Sequence, residues 1–299
     1  LSASADTPAD SFLLAIGYHG EPFKGSQSQP DEVTVQGELN SAIKELGWQE
    51  HCTSRISSRT DSGVSSRMNL VDISCDASLM DSLNEEMITR AIGDRISSEM
   101  CIWGAIRRQS HIPVRMARSR TYLYRLDMVK GWNPDYDAEA LNQATQVFLG
   151  HHNFSAFSRP DPERSPFRTI DDCRLWRRDD GSVIGLIIEA ESFLWNQVRR
   201  IASAIVKISN NETTIEQLAS ALEEPSGSPD FGRAPADALI LWNIHHEDAP
   251  KKWYSTLPKT HLPPPPPPSK PRLVERWRNS ALAEIRMMLE TDWTHRLIE

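Results

Sequence analysis

No apolar run in this chain approaches the length needed to cross a bilayer. The first eleven residues are small and polar, without the charged-then-apolar plan of a signal peptide. These absences argue against a membrane protein and predict a cytoplasmic one with a short disordered N-terminal tail over residues 1–11. Cysteine is scarce as well. Cys52, Cys75, Cys101 and Cys173 are scattered without paired spacing, so the sequence suggests neither a disulfide framework nor a zinc site. The adjacent pairs His151-His152 and His245-His246 are poor chelators, because neighbours on a strand point to opposite faces. No metal, nucleotide loop or redox cofactor is expected.

Negative charge is missing from one long stretch of an otherwise acidic protein. The formal net charge is −8, yet residues 100–126 contain no Asp or Glu. Arg107, Arg108, Arg115, Arg118, Arg120 and Arg125 accumulate there, interleaved with Trp103, Tyr122 and Tyr124. A second acid-free stretch, residues 192–209, carries Arg199, Arg200 and Lys207. Basic islands rich in arginine and aromatics on an acidic protein suit a groove that holds a polyanion. A solvated positive face is the ordinary alternative.

At 299 residues the chain can bury one large core or two ordinary ones. Residues 12–18 read as a first strand, and Thr34 as the N-cap of a helix with Val35, Leu39, Ile43 and Leu46 inward. A strand is expected over residues 68–75, a weaker helix over 79–92, and a strand over 120–126 with Tyr122 and Tyr124 on one face. A second half follows the turn at residues 131–134. Asp137 caps a helix ending near Gly150, a hairpin turns at residues 179–182, and a helix is expected over 192–208. Thr213 and Glu216 suggest a capping box, and residues 238–244 a last strand. Hairpins and strand-helix units without strict βαβ alternation predict an α+β fold with largely antiparallel sheet, in halves spanning residues 12–130 and 131–248. Beyond them, residues 249–271 form a proline-rich linker, and residues 272–299 a helix expected to dock back on the core or a second subunit, with a partner-binding appendage as the alternative.

One short stretch invites chemistry. In Ser57-Ser58-Arg59-Thr60-Asp61-Ser62-Gly63-Val64, one carboxylate sits between an arginine and a Ser-Gly turn. An acid on a tight turn can have its direction and ionisation set by a few neighbours, as a nucleophile or base requires. Asp and Gly are also common turn residues for backbone reasons alone.

The motif series resembles the tRNA pseudouridine synthase family of the TruA type over roughly residues 12–244. Tyr18-His19-Gly20 with Phe23, Gly25, Gln27 and Gln29-Pro30 is similar to its first loop, and Thr34-Val35-Gln36-Gly37-Glu38-Leu39 to the opening of its first helix. Arg59-Thr60-Asp61-Ser62-Gly63-Val64 matches its catalytic loop, and Arg115, Ala117, Arg120, Tyr122 and Tyr124 its next motif. The segment from Gly150 to Phe157, Ser192-Phe193-Leu194 with Val198-Arg199-Arg200, and Ala234-Pro235 with Leu239 and Leu241 complete the order. Departures are Ser26 for a usual tryptophan, Ser65 for a histidine, Asn153 for an acid and Ala238 for a glycine.

The resemblance implies two pseudo-symmetric halves with a basic RNA-binding cleft between them. It also implies isomerisation of uridine to pseudouridine, in the anticodon arm at tRNA positions 38 to 40. The N-glycosidic bond breaks, the uracil turns and a C–C bond to the same ribose forms, with no cofactor. Asp61 would be the catalytic carboxylate and Arg199 its cationic partner. Arg59 would fill the space of an extruded nucleotide or hold the neighbouring phosphate, and Tyr122 would stack on the flipped uracil. Arg115, Arg118 and Arg120, with the other arginines of residues 107–125, would bind tRNA phosphates. Family members commonly work as homodimers. Rival readings are an inactive tRNA-binding or chaperone protein on the same scaffold, a synthase with other RNA target sites, and a glycosidic hydrolase. The last usually needs two acids, and no second one is evident beside Asp61.

Overall fold

The structure, a computed structural model, describes residues 10–110 and 112–298. The expected N-terminal tail therefore lies largely outside the described residues, and Ser11 already opens a strand. The described residues form two compact units. The first takes residues up to 118, 241–256 and 289–298, and the second takes residues 119–240 and 257–288.

The first unit contains β1 (Ser11–Tyr18), α1 (Val35–Glu45), β2 (Cys52–Ile56), β3 (Ser65–Cys75), α2 (Ala77–Ser82), α3 (Glu85–Gly93) and β4 (Met100–Arg108). The sequence of β1 has no charged side chain, so it can be covered on both faces, and all of it is buried. It lies between β3 and β4 and pairs antiparallel with both, while β2 pairs antiparallel with β3. Phe12, Leu14, Ile16 and Tyr18, alternate residues of one strand, meet Val35, Leu39 and Ile43 of α1 and Ile88 and Ile92 of α3 in one core. Each such aliphatic side chain contributes roughly 1.5–3 kcal/mol of transfer free energy. Thr34 caps α1 as its sequence predicts, its hydroxyl accepting from Gly37 N at 3.1 Å.

The second unit contains β5 (Ser119–Tyr124), α4 (Ala138–Gln146), β6 (Gly150–Asn153), β7 (Phe167–Arg177), β8 (Val183–Ala190), α5 (Gln197–Ser209) and α6 (Ile215–Glu223). Its strands run in the order β5-β8-β7-β6, each pair antiparallel. The β7–β8 hairpin turns where Asp180 accepts from Ser182 N at 2.8 Å and Gly181 takes a φ of 84°. The chain then returns through β9 (Leu239–His245), which pairs with β3, and ends in α7 (Pro271–Ile298). Trp277, Ala281 and Ile285 of α7 are buried within the second unit, and Leu289 and Trp293 within the first. The terminal helix therefore docks. The proline-rich segment is held to it, since Trp277 Nε1 donates to Pro263 O at 2.9 Å and Glu284 accepts from His261 N and Leu262 N.

The architecture is the expected α+β arrangement with antiparallel pairing. Several local expectations are corrected. Cys52 and Cys75 form a disulfide. They are 23 residues apart in sequence but stand directly opposite each other on β2 and β3, a registry that spacing alone cannot reveal. The helix expected over residues 79–92 is split, because Asn84 caps a new start by accepting from Met87 N. The helix expected from residue 192 begins only at Gln197, after Asn196 adopts a left-handed φ of 63°. The capping box is one residue later than expected, on Thr214 and Gln217.

The arginine island is not a uniformly free basic face. Arg108 is buried against Asp72 at 2.6 Å and Asp248 at 2.7 Å. Arg125 is buried between Asp127 and Glu284, each at 2.8 Å, and Arg178 joins it on Asp127 at 2.9 Å. Arg108 and Arg125 are core ion pairs, not phosphate ligands, because their guanidinium groups are buried and already held by carboxylates. Arg107 pairs with Asp10 at 2.6 Å. Breaking a buried pair from one side leaves an uncompensated charge. Asp127→Ala is therefore expected to lower unfolding free energy by roughly 3 kcal/mol in urea titration, whereas Asp180→Ala on the exposed hairpin costs well under about 1.5 kcal/mol.

Candidate active site

The stretch of residues 57–64 joins β2 to β3 and is held by side chains that its own sequence does not contain. Tyr18, at the end of β1, is fully buried and its hydroxyl lies 2.9 Å from Thr60 Oγ1. Burial pushes this phenol's pKa up, against the lowering effect of its hydrogen bonds to Thr60, Asn69 and their neighbours, so the hydroxyl keeps its proton and can donate. Asn69 of β3 donates to Tyr18 Oη at 3.2 Å and to Ser58 O at 2.8 Å, and accepts from Ser58 N at 3.1 Å.

Ser26 closes the other side. Its Oγ accepts from Thr60 N at 2.8 Å and donates to Ser58 O at 3.2 Å, while its own N–H donates to Thr60 O at 3.1 Å. The side chain is completely buried, so each of these bonds forms in a low-dielectric setting where leaving one unmade is costly. The backbone also approaches closely. A Cβ at Gly25, whose φ is 108°, would stand 2.9 Å from Thr60 O, and one at Gly20 would stand 2.3 Å from the Val64 carbonyl carbon. Only glycine permits that approach. Gly20 N then donates to Ser65 Oγ at 3.0 Å. Ser26 and Ser65, two of the four departures from the family pattern, are thus both polar braces of this loop.

Past Thr60 the chain turns. Val64 N donates to Asp61 O at 3.2 Å, Gly63 takes a φ of 85°, and Ser62 Oγ and Gly63 N both donate to Phe23 O. Thr60 on one side and Gly63 on the other are therefore fixed, and Asp61 is the half-buried carboxylate at the tip between them. Arg59 is exposed beside it. A carboxylate on a braced turn can be aimed at a substrate without reorganisation of its backbone, which is what a nucleophile or base requires.

Tyr122 and Arg199 belong to the second unit. Tyr122 lies on β5, buried, with its ring edge-on to Phe193 at 5.3 Å and 87°. Tyr124, on the same face, is fully core and donates to Pro235 O at 2.8 Å. Burial raises its pKa, and the Arg199 charge opposes that shift, which puts Arg199 within electrostatic reach of β5. Arg199, on α5, is half-buried and donates through Nε to Ala234 O at 2.8 Å and through Nη1 to Asn196 Oδ1 at 3.2 Å. The guanidinium is thereby fixed against the start of its own helix and the Ala234-Pro235 segment. Arg120 is buried and donates to Glu191 O, and burial lowers its pKa, opposed by Tyr122 and Glu191. In the first unit Arg115 is exposed, and Arg118 is exposed and paired with Glu247.

Asn153 shows why its departure from an acid is tolerated. Its Oδ1 accepts from Ser155 N at 3.0 Å, the same turn bond a carboxylate would accept. Sequence reasoning did not single out Asn69, and it named Tyr18 and Phe193 only as parts of motifs, without a role. A signal existed for Asn69: an amide inside the apolar run Met68-Asn69-Leu70-Val71 has to be satisfied by something specific. Among the described residues no group of His, Cys, Asp and Glu is arranged to hold a metal ion.

A family model described as tRNA pseudouridine synthase matches residues 144–247. The chain is 35% identical to tRNA pseudouridine synthase A of Pyrococcus furiosus over 240 residues, covering 79% of this chain and 83% of that protein. It is 32% identical to the same enzyme of Methanococcoides burtonii, over 80% of this chain and 84% of that one. With Thermosipho africanus it shares 28% over 78% of this chain and 98% of the relative. Similarity of this extent establishes that the chain belongs to the tRNA pseudouridine synthase family of the TruA type, isomerases that convert uridine to pseudouridine.

Proposed function

We propose that this protein forms pseudouridine in the anticodon arm of tRNA, at positions 38 to 40, with Asp61 as the reacting carboxylate. The observation that carries the assignment is the bracing of the Asp61 turn by Tyr18, Ser26 and Asn69. A surface turn needs no such set of buried polar partners. Asp61 attacks, or takes a proton from, the ribosyl-uracil unit while the glycosidic bond breaks, and the uracil rejoins the same ribose through carbon. Arg199 supplies the positive charge that directs Asp61. Arg59 occupies the space left by the extruded nucleotide or holds the neighbouring phosphate. Tyr122, steadied edge-on by Phe193, offers its ring to the flipped uracil.

Arg115, Arg118 and Arg120 are assigned to tRNA contact. The exposed Arg115 and Arg118 suit the phosphates, with Arg118 exchanging Glu247 for RNA. Arg120, buried and held by a carbonyl, suits a fixed contact close to the tyrosine. Residues 12–130 would carry the carboxylate and the stacking ring and residues 131–248 the arginine, with a homodimer in the cytoplasm as the working form and no cofactor in the reaction. The rival reading as an inactive tRNA-binding protein accounts for the basic residues but not for a braced carboxylate.

Asp61→Ala is expected to lower turnover on a tRNA transcript more than roughly a thousandfold while leaving tRNA affinity within about threefold. Measurable pseudouridine formation by that variant would sink the assignment. Arg199→Ala removes the cation that directs the carboxylate and is expected to lower kcat about tenfold or more on the same transcript, and an unchanged kcat would argue against the pairing. Affinity for tRNA should fall severalfold or more between about 50 and 200 mM salt. Flat salt dependence, followed by filter binding, would remove the phosphate role from these arginines.

A further inference from the structure

The terminal helix lies outside the stretch that resembles the family, yet its last turns are built into the support of the Asp61 loop. Asp292 receives Arg67 Nε at 2.8 Å and Ser255 Oγ at 3.0 Å, and Arg67 is completely buried. Burial brings the Arg67 guanidinium down to about 10, so it remains charged near neutrality. It is flanked by the rings of Trp103 and Trp242, each centred 5.3 Å away, and donates to Trp242 O and Trp253 O. Trp293, next along the helix, is buried and donates through Nε1 to Arg67 O at 3.0 Å. The end of the helix is thus anchored at an ion pair, a main-chain bond and a buried indole.

That anchor sets what the preceding turn presents. Glu290 and Trp293 are three residues apart and share a helix face. Glu290 Oε1 lies 2.7 Å from His19 Nε2, and the Trp293 ring lies against the His19 imidazole at 4.9 Å. The same indole fills the space over Gly17, where a Cβ would stand 2.2 Å from it. A carboxylate only accepts, so Nε2 of His19 carries the proton in this pair. His19 is buried, flanked in sequence by Tyr18, which is bonded to Thr60, and by Gly20, which lies against the Gly63-Val64 backbone and donates to Ser65 Oγ. Two of the braces of the Asp61 turn therefore leave from the residues on either side of His19.

We propose that Glu290, through His19, is a positioning residue for Asp61, so that the C-terminal helix is a working part of the active site. The proposal rests on the reading of Asp61 as the reacting carboxylate. A shift of His19 is passed to Tyr18 and Gly20 and from them to Thr60 and Val64, on both sides of the carboxylate. Displacement of a reacting group by about an ångström can cost up to roughly a hundredfold in rate.

The test uses the full chain and single-turnover conversion of a tRNA transcript. The Glu290 side chain is 47% exposed, so its replacement is expected to preserve folding. Glu290→Ala should lower kcat about tenfold with KM within about twofold and cooperative unfolding retained. Glu290→Gln keeps an acceptor for His19 and should recover kcat to within about threefold of the parent. Combining Glu290→Ala with His19→Ala should slow the reaction no further than the slower single variant, since both act through one contact. The proposal is overturned if Glu290→Ala keeps kcat within about twofold of the parent. It is equally overturned if Glu290→Gln is as slow as Glu290→Ala, if only KM rises, or if the paired effects multiply. Asp61→Ala in the same assay separates the two ideas: activity retained there removes the reading of Asp61, whereas an inactive Asp61→Ala beside an unaffected Glu290→Ala removes only the positioning role.

Discussion

A hydroxyl and an amide buried behind a turn are the constraint on which the proposed chemistry depends. Tyr18, Asn69 and Ser26 exchange hydrogen bonds with the main chain and side chain of Ser58 and Thr60. All of these atoms are shielded from water, so the loop has one arrangement that satisfies them and any other leaves a donor or acceptor unmade. The rigidity of Asp61 follows from that count. Glycines at positions 20 and 25 complete it by letting one segment of backbone lie on another.

The same logic explains three of the four departures from the family's sequence pattern. A tryptophan replaced by Ser26 would ordinarily leave a void, but the hydroxyl turns the position into a bridge between two segments. Ser65 in place of a histidine accepts from Gly20 N and continues the brace. Asn153 keeps the turn bond of the acid it replaces. In each case the physical job is a hydrogen bond to backbone, and the residue that does it can change.

Charge is handled in an equally local way. The sequence shows six arginines in a stretch of residues 100–126 without a single acid. Folding brings Asp72 and Asp248 to Arg108 and Glu284 to Arg125, whose other partner, Asp127, lies just past the stretch. Buried in this way, those two stabilise the fold and hold the returning chain. Arg115 and Arg118 remain on the surface, so the capacity for phosphate contact is narrower than the bare count of arginines implies.

The order of strands and helices was legible in sequence because it rests on local periodicity: alternate apolar residues in β1, a capped apolar stripe in α1, and an Asp-Gly turn between β7 and β8. The motif order also singled out Asp61, Tyr122 and Arg199. What it could not show depends on residues distant in the chain. The Cys52–Cys75 bond arises from strand registry, and the late start of α5 from a left-handed Asn196 that no composition rule demands. Asn69 reads in sequence as one amide in an apolar strand, and its meaning comes only from Tyr18 and Ser58. Likewise, Glu290 is an ordinary surface acid until folding places it 2.7 Å from His19. The sequence by itself determined the fold class and the family, since both are written in patterns that neighbours carry. Tertiary structure decided which polar groups are satisfied and by whom, because a buried hydrogen bond is a relation between segments that only the folded chain brings together.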